Sequence, residues 1–204
     1  MTGEGDDDDW TRVAGVIADI ARIGALVSVP VAWLMLGIGE GLLFAVLFVG
    51  LLVPRLTKVP RPFDAAFGLT MLAATWSSAL GWYRMIPWLD ILIHGVTNGA
   101  IAAMVYLVLA RLGVVRDLHD PDRSLAHSNV TVAVLTTSFG LALGAIWEFL
   151  EWSVENFTDI RVHVGYDDSI GDMAIGGSGS LVAGLLLVLW ARAGRTVKRG
   201  EDRT

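Results

Sequence analysis

The 204 residues contain no cysteine. That absence excludes disulfides, thiolate metal sites, iron–sulfur clusters held by thiolate and cysteine nucleophiles, so any metal here meets oxygen and imidazole ligands only. Charge is scarce as well, at 18% of residues where a soluble domain carries about a quarter, and hydrophobic residues reach 54%. A water-soluble globule is therefore a poor fit. A basic N-terminal start is missing too: Glu4 and Asp6 to Asp9 supply −5 of the net charge of −6. Residues 1–9 read as a solvated, disordered acidic tail, which argues against a cleaved signal peptide. The rest of the chain is nearly neutral. No glycine-rich phosphate loop, serine triad or nucleic-acid motif stands out, and no nucleic-acid partner is expected. Lys58, Arg61 and Pro62 faintly resemble a lipid-phosphatase motif, but its spacing and paired histidines are missing.

What is present is a series of long apolar runs. A membrane-spanning helix needs about 20 mostly apolar residues, and six stretches meet that need, at roughly 20–38, 41–54, 64–83, 86–109, 130–151 and 171–191. The expected fold is all-α, an integral membrane bundle of six transmembrane helices filling residues 10–191, with a basic tail over 192–204. Gly37, Gly39 and Gly41 make the first two spans a hairpin. Its second arm is short enough to require little tilt or a thinned bilayer. Before the first span, Arg12, Gly15, Asp19 and Arg22 share one helical face, as in an interfacial helix; the alternative is one long span with Arg22 snorkelling to the interface.

Lys and Arg then set the orientation, because short cytoplasmic loops carry an excess of them. Thirteen of the fifteen fall on one side, and only Arg84 and Arg161 face the other. Both termini are placed in the cytoplasm, in a bacterial inner membrane. Trp33, Trp82, Tyr83, Trp88, Trp147, Trp152 and Tyr166 collect near the outer interface, where amphipathic rings settle.

With that topology the intramembrane acids meet at one level. The fourth span enters with Asp90 and His94, the fifth leaves with Glu148 and Glu151, and the sixth begins with Asp168 and Asp172. Each pair is spaced i, i+3 or i, i+4, so it projects from one side of its helix. Ionised groups at this depth are costly unless they face the protein interior or water. The same faces continue in small or polar residues: Asn98 and Ala102; Gly144, Gly140 and Thr137; Gly176, Ser180 and Gly184. Such stripes let membrane helices pack closely and are the expected contact seams of spans four to six.

The segments from Asp90 to His94, from Trp147 to Trp152 and from Tyr166 to Asp172 resemble the signature of YjdF-like bacterial membrane proteins, over about residues 88–184. A looser similarity reaches the VanZ-like proteins, which tend to carry Gln where Glu151 stands. The resemblance implies a small multispanning envelope protein; YjdF-like members have no established activity, and VanZ-like ones are associated with glycopeptide-antibiotic resistance.

Three functions remain open on the residues themselves. His94, Glu148, Asp172 and Asp90 suit a divalent ion such as Zn, Mn, Fe or Mg. With Glu151 or Asp168 as general base, such an ion would support hydrolysis or group transfer on a lipid or lipid-linked substrate at the outer leaflet. Asn98, Arg161 and His163 would then contact substrate. Alternatively the same groups form a polar network that fixes helix register in a structural or accessory protein. The third reading is a proton- or ion-coupled carrier, disfavoured because the acids sit near one face and not at the midplane. His119 and His127 read as solvated loop residues. Membrane lipids are the expected surroundings, and the sequence leaves oligomeric state open.

Overall fold

The computed structural model describes residues 4–116, 118, 126–157 and 165–201, and all regular structure there is helical. The helices are α1 (Glu4–Met35), α2 (Ile38–Leu56), α3 (Arg61–Ala79), the single-turn α4 (Trp82–Met85), α5 (Pro87–Arg111), α6 (Ala126–Phe157) and α7 (Tyr166–Glu201). Five stretches are long and apolar enough to cross a membrane: Asp9–Met35, Ile38–Leu56, Trp88–Arg111, Asn129–Phe157 and Tyr166–Ala193. α3 is the exception among the six long helices. It lies where the third apolar run predicts it, but Arg61, Asp64, Thr70, Thr75, Ser77 and Ser78 lower its hydropathy. Thr70, Thr75 and Ser77 donate to the carbonyls of Ala66, Met71 and Ala73 at 2.8–2.9 Å, so these hydroxyls are satisfied within their own helix.

The chain divides into two compact units, Met1–Ile93 and His94–Thr204. The division falls inside α5, which is itself continuous.

In the first unit α1, α2 and α3 pack together. Two residues join α1 to α2, and Gly37 at φ 137° occupies a backbone region that side chains rarely enter. The expected hairpin is present, but its second arm is not short. α2 has 19 residues, about 28 Å at 1.5 Å per residue, which nearly matches the ~30 Å hydrocarbon layer without thinning it. The shorter expectation, 41–54, came from starting the span at Gly41 and stopping it at Pro54, whereas the helix runs from Ile38 to Leu56. At the hairpin, a Cβ on Gly41 would fall 2.8 Å from Trp33 Cβ, so glycine is what lets the arms meet. The core gathers Ala25, Ala32, Phe44, Leu47 and Leu51. Phe44 lies 4.8 Å from the Trp76 ring, whose indole N–H donates to Ser28 at 3.0 Å.

A charged cluster sits in the same unit. Arg22 is 6% exposed and Asp64 2%. The guanidinium contacts both Asp64 oxygens at 2.5 and 2.7 Å, donates to Asp19 at 2.9 Å and donates through Nε to the Leu51 carbonyl at 2.9 Å. Arg55 pairs with Asp19, and Arg61 lies 3.9 Å from Asp64. The snorkelling reading of Arg22 is thereby corrected: it turns into the helix packing because an acid 42 residues away receives it.

In the second unit α5, α6 and α7 meet along the predicted seams. A Cβ on Gly99 would fall 2.7 Å from the Gly179 carbonyl oxygen, one on Gly179 would strike Gly95, and one on Gly140 would strike Ser180. Gly176, Ser180 and Gly184 are all buried. On α6 the seam passes through Thr136, fully buried, where the sequence pointed to Thr137. Gly184 faces Ala133 and Thr136, while Thr137 is half-buried and bonds back to Ala133. The four-residue step from Gly144 through Gly140 leads to Thr136, whereas Thr137 is three residues from Gly140; i−3 and i−4 neighbours share a helix face, and the contact with Gly184 falls on the i−4 one.

Candidate metal centre

α5 opens at Pro87 and carries Asp90 and His94 one turn apart on one face. α7 opens at Tyr166 with Asp167 and Asp168 in its first turn, where carboxylates complement the helix dipole, and Asp172 follows one turn later. These two helices bring three ligating groups together. One donor atom from each of Asp90, His94 and Asp172 can be chosen so that all lie within 4.8 Å of one another, and all three residues are half-buried. His94 Nε2 stands 3.8 Å from Asp172 Oδ2. That is an ion-pair separation, beyond hydrogen-bond range.

α6 supplies two further carboxylates at the same end. Glu148 is 9% exposed. Glu151 is half-buried, lies within electrostatic range of Glu148, His94 and Asp172, and accepts a hydrogen bond from the Trp147 side chain. One imidazole and four carboxylates therefore gather from three helices. Those helices contribute no Lys or Arg over residues 88–110, 126–157 and 165–191.

Asp90, His94, Asp172 and Glu151 sit two to six residues inside their candidate spans, about 3–9 Å by helical rise. Glu148 lies one turn deeper. Asn98 lies one turn below His94, in a notch left by two glycines. A Cβ on Gly144 would stand 3.3 Å from its amide nitrogen, and one on Gly176 would collide with that amide. Asp168 is exposed and stands outside the group of three. Arg161 and His163 lie outside the described residues.

The donor set fits a first-row divalent ion or Mg. Ligand atoms bonded at about 2.1 Å are separated by about 3.0 Å when adjacent and about 4.2 Å when opposite, so donor atoms up to 4.8 Å apart would close on an ion by side-chain shifts of about 1–2 Å. Sequence reading missed the other charged cluster, Asp19, Arg22, Arg55 and Asp64. Its one signal was an Arg and an Asp placed within long apolar runs.

No curated protein and no solved structure matches the chain. A family model described as a predicted membrane protein, DUF2238, matches residues 19–193, which takes in all three helices of the acid and histidine group. The helices are those of a multi-pass membrane protein, and the chain belongs to the DUF2238 family of predicted membrane proteins.

Proposed function

We propose that this protein binds a divalent cation through Asp90, His94 and Asp172, with Glu148 and Glu151 beside the ion, and uses it in metal-assisted hydrolysis or group transfer. The observation that carries the reading is the convergence of three donor atoms within 4.8 Å from two helices. The surrounding charge supports it. Four carboxylates, half-buried or deeper around one imidazole, repel one another unless protons or a cation intervene, and a divalent ion neutralises two of the charges at once.

A bound ion would polarise a phosphoryl or carbonyl oxygen or activate water. Glu151 is the group in position to take a proton, because it approaches both His94 and Asp172 without belonging to the triad. Asn98 at the floor would offer a neutral amide to substrate. The substrate class is a lipid headgroup or lipid-linked envelope intermediate, since the group sits close to the ends of three spans.

Both termini are placed in the cytoplasm of a bacterial inner membrane, with the metal site toward the outer leaflet. This orientation needs α3 to count as a sixth span, and its packing supports that: a Cβ on Gly68 would touch Ala21 at 3.0 Å, and one on Gly24 would touch Leu72 at 3.0 Å. The Lys and Arg asymmetry favours the same side for both ends. The ordered triple of motifs also supports a YjdF-like assignment more closely than a VanZ-like one.

Elemental analysis of detergent-purified protein, wild type beside Asp172→Ala, tests the metal. Stoichiometric metal in the wild type and its loss in the variant is the expected result. Metal-free wild type after purification without chelator, with no uptake on adding Zn, Mn or Mg, would overturn the reading. The second reading is then a register-fixing polar network, favoured by the His94–Asp172 pair at 3.8 Å and the glycine seam directly beneath it.

A further inference from the structure

Glu148 is the most deeply placed acid of the group and the one without a counter-charge. It is 9% exposed and lies nine residues inside the candidate span Asn129–Phe157, about 14 Å by helical rise. Among the described residues no hydrogen-bond donor or cation meets its carboxylate, and the neighbour in electrostatic range is another acid, Glu151. Asp64 shows how this chain neutralises a buried acid by itself: both oxygens contact Arg22, at 2.5 and 2.7 Å. An ionised carboxylate left unpaired at the depth of Glu148 is costly. Its oxygens are not fully occluded, so space adjoins them.

Position and charge add two independent observations. Glu148 and Glu151 are i, i+3 on α6, so their carboxylates lie on one side of that helix and can reach one point. Glu151 is also in electrostatic range of His94 and Asp172, and Asp172 belongs to the triad with Asp90 and His94. The two glutamates therefore adjoin the triad through Asp172, and these three acids all lie in the second unit. One divalent ion in the triad offsets two of the four carboxylate charges. Residues 88–110, 126–157 and 165–191 carry no Lys or Arg to offset the others, and a second divalent ion balances them.

We propose that Glu148 and Glu151 bind a second divalent cation, with the Asp172 carboxylate bridging it to the ion held by Asp90, His94 and Asp172. The inference rests on the metal-binding reading of that triad and makes the centre binuclear. Two ions about 3.5–4 Å apart hold the attacking and the leaving oxygen of an in-line displacement together, which a single ion does not. Glu151 serves as a ligand when the second ion is bound and as the proton acceptor when it is not.

The test loads full-length, chelator-treated protein in detergent with Mn(II). Equilibrium dialysis gives the stoichiometry, and electron paramagnetic resonance reports whether two ions are exchange-coupled. Wild type should bind about two Mn per chain and show the spectrum of a coupled pair. Glu148→Gln and Glu151→Gln should each keep about one, with the spectrum of an isolated ion, and Asp172→Ala should lose both. Each Gln variant removes one repelling carboxylate, so the metal-free protein should melt no lower than wild type, and either variant suffices if the other misfolds. A single uncoupled Mn in the wild type would overturn the second site and leave the triad reading standing, whereas no bound Mn would overturn both. Two Mn retained by both Gln variants would also overturn the proposal, by placing the second ion elsewhere.

Discussion

The two units solve the same problem, charge inside an apolar bundle, in opposite ways. In the first, Arg22 meets Asp64 with both carboxylate oxygens in use and its remaining donors directed to Asp19 and Leu51. Attraction and desolvation are balanced by residues of the chain itself. In the acid and histidine group, Asp90 and Asp172 approach one histidine, with Glu151 in electrostatic range of it and Glu148 beside Glu151, and residues 88–110, 126–157 and 165–191 of the helices that carry them supply no guanidinium or ammonium. The first arrangement pairs opposite charges, and the second gathers several acids at one level. A structural role suits the closed cluster, and a ligand suits the open one.

The sharpest way to break this contrast is to remove one partner from the closed cluster. Arg22→Met leaves the buried Asp64 carboxylate with only the longer contact to Arg61 at 3.9 Å, and the expected loss is about 3–5 kcal/mol, read from reversible unfolding in mixed micelles. Joint replacement, Arg22→Met with Asp64→Leu, should recover most of that loss, since apolar residues of similar volume need no partner. A double variant as unstable as the single would show that the pair does more than neutralise itself.

Neutralising a charge in the open cluster should have the other sign. Asp90→Asn removes one of several repelling carboxylates, so metal-free protein should melt at or above the wild-type temperature. Added divalent ion should then separate the two. At 100-fold excess over Kd, wild type gains about 2.7 kcal/mol by mass action, and the variant gains little. If Asp90→Asn lowers the stability of chelator-treated protein as Arg22→Met does, the group is a closed network and the contrast between the units fails.

Much of this architecture is legible in the sequence because its causes are local. Apolar runs set the helices, Gly37 sets the hairpin, and small residues four apart on Gly140, Gly144, Gly176 and Ser180 set the seam. The acid and histidine group could be read because each of its pairs lies within one helical turn. Arg22 and Asp64 escaped because 42 residues separate them, and counting cations by side treats each Lys or Arg as an orientation signal. Thr136 escaped because the stripe through Gly144 and Gly140 was continued at Thr137, three residues on, and i−3 and i−4 positions lie side by side on one helix face. The backbone contact of Gly95 and Gly99 with Gly179 was visible as small residues four apart, yet it lies one position off the polar face that drew the eye.

The seam offers a smaller effect that ties packing to the site above it. A methyl at Gly179 meets the Gly95 backbone, which cannot rotate away as a side chain would, and overpacking of this kind costs about 1–3 kcal/mol. Gly171 has nothing within 4 Å of a built Cβ, so Gly171→Ala should be neutral or slightly stabilising. Because Gly179 lies within two turns of Asp172, Gly179→Ala should also weaken metal uptake, whereas Gly171→Ala should not. Equal uptake by both would mean that the ligands hold their geometry without the seam.

The least effect is expected at Asp168, and its smallness is informative. This carboxylate shares a helix face with Asp172 and looks equivalent to it in the sequence, yet it is exposed and stands outside the group of three. Asp168→Ala should change stability by no more than about 0.5 kcal/mol and leave metal stoichiometry intact. If instead it abolished uptake while Asp90→Asn did not, the centre would have moved one turn toward the end of α7. The ligand set would then follow the acids of that first turn in place of those packed against α5.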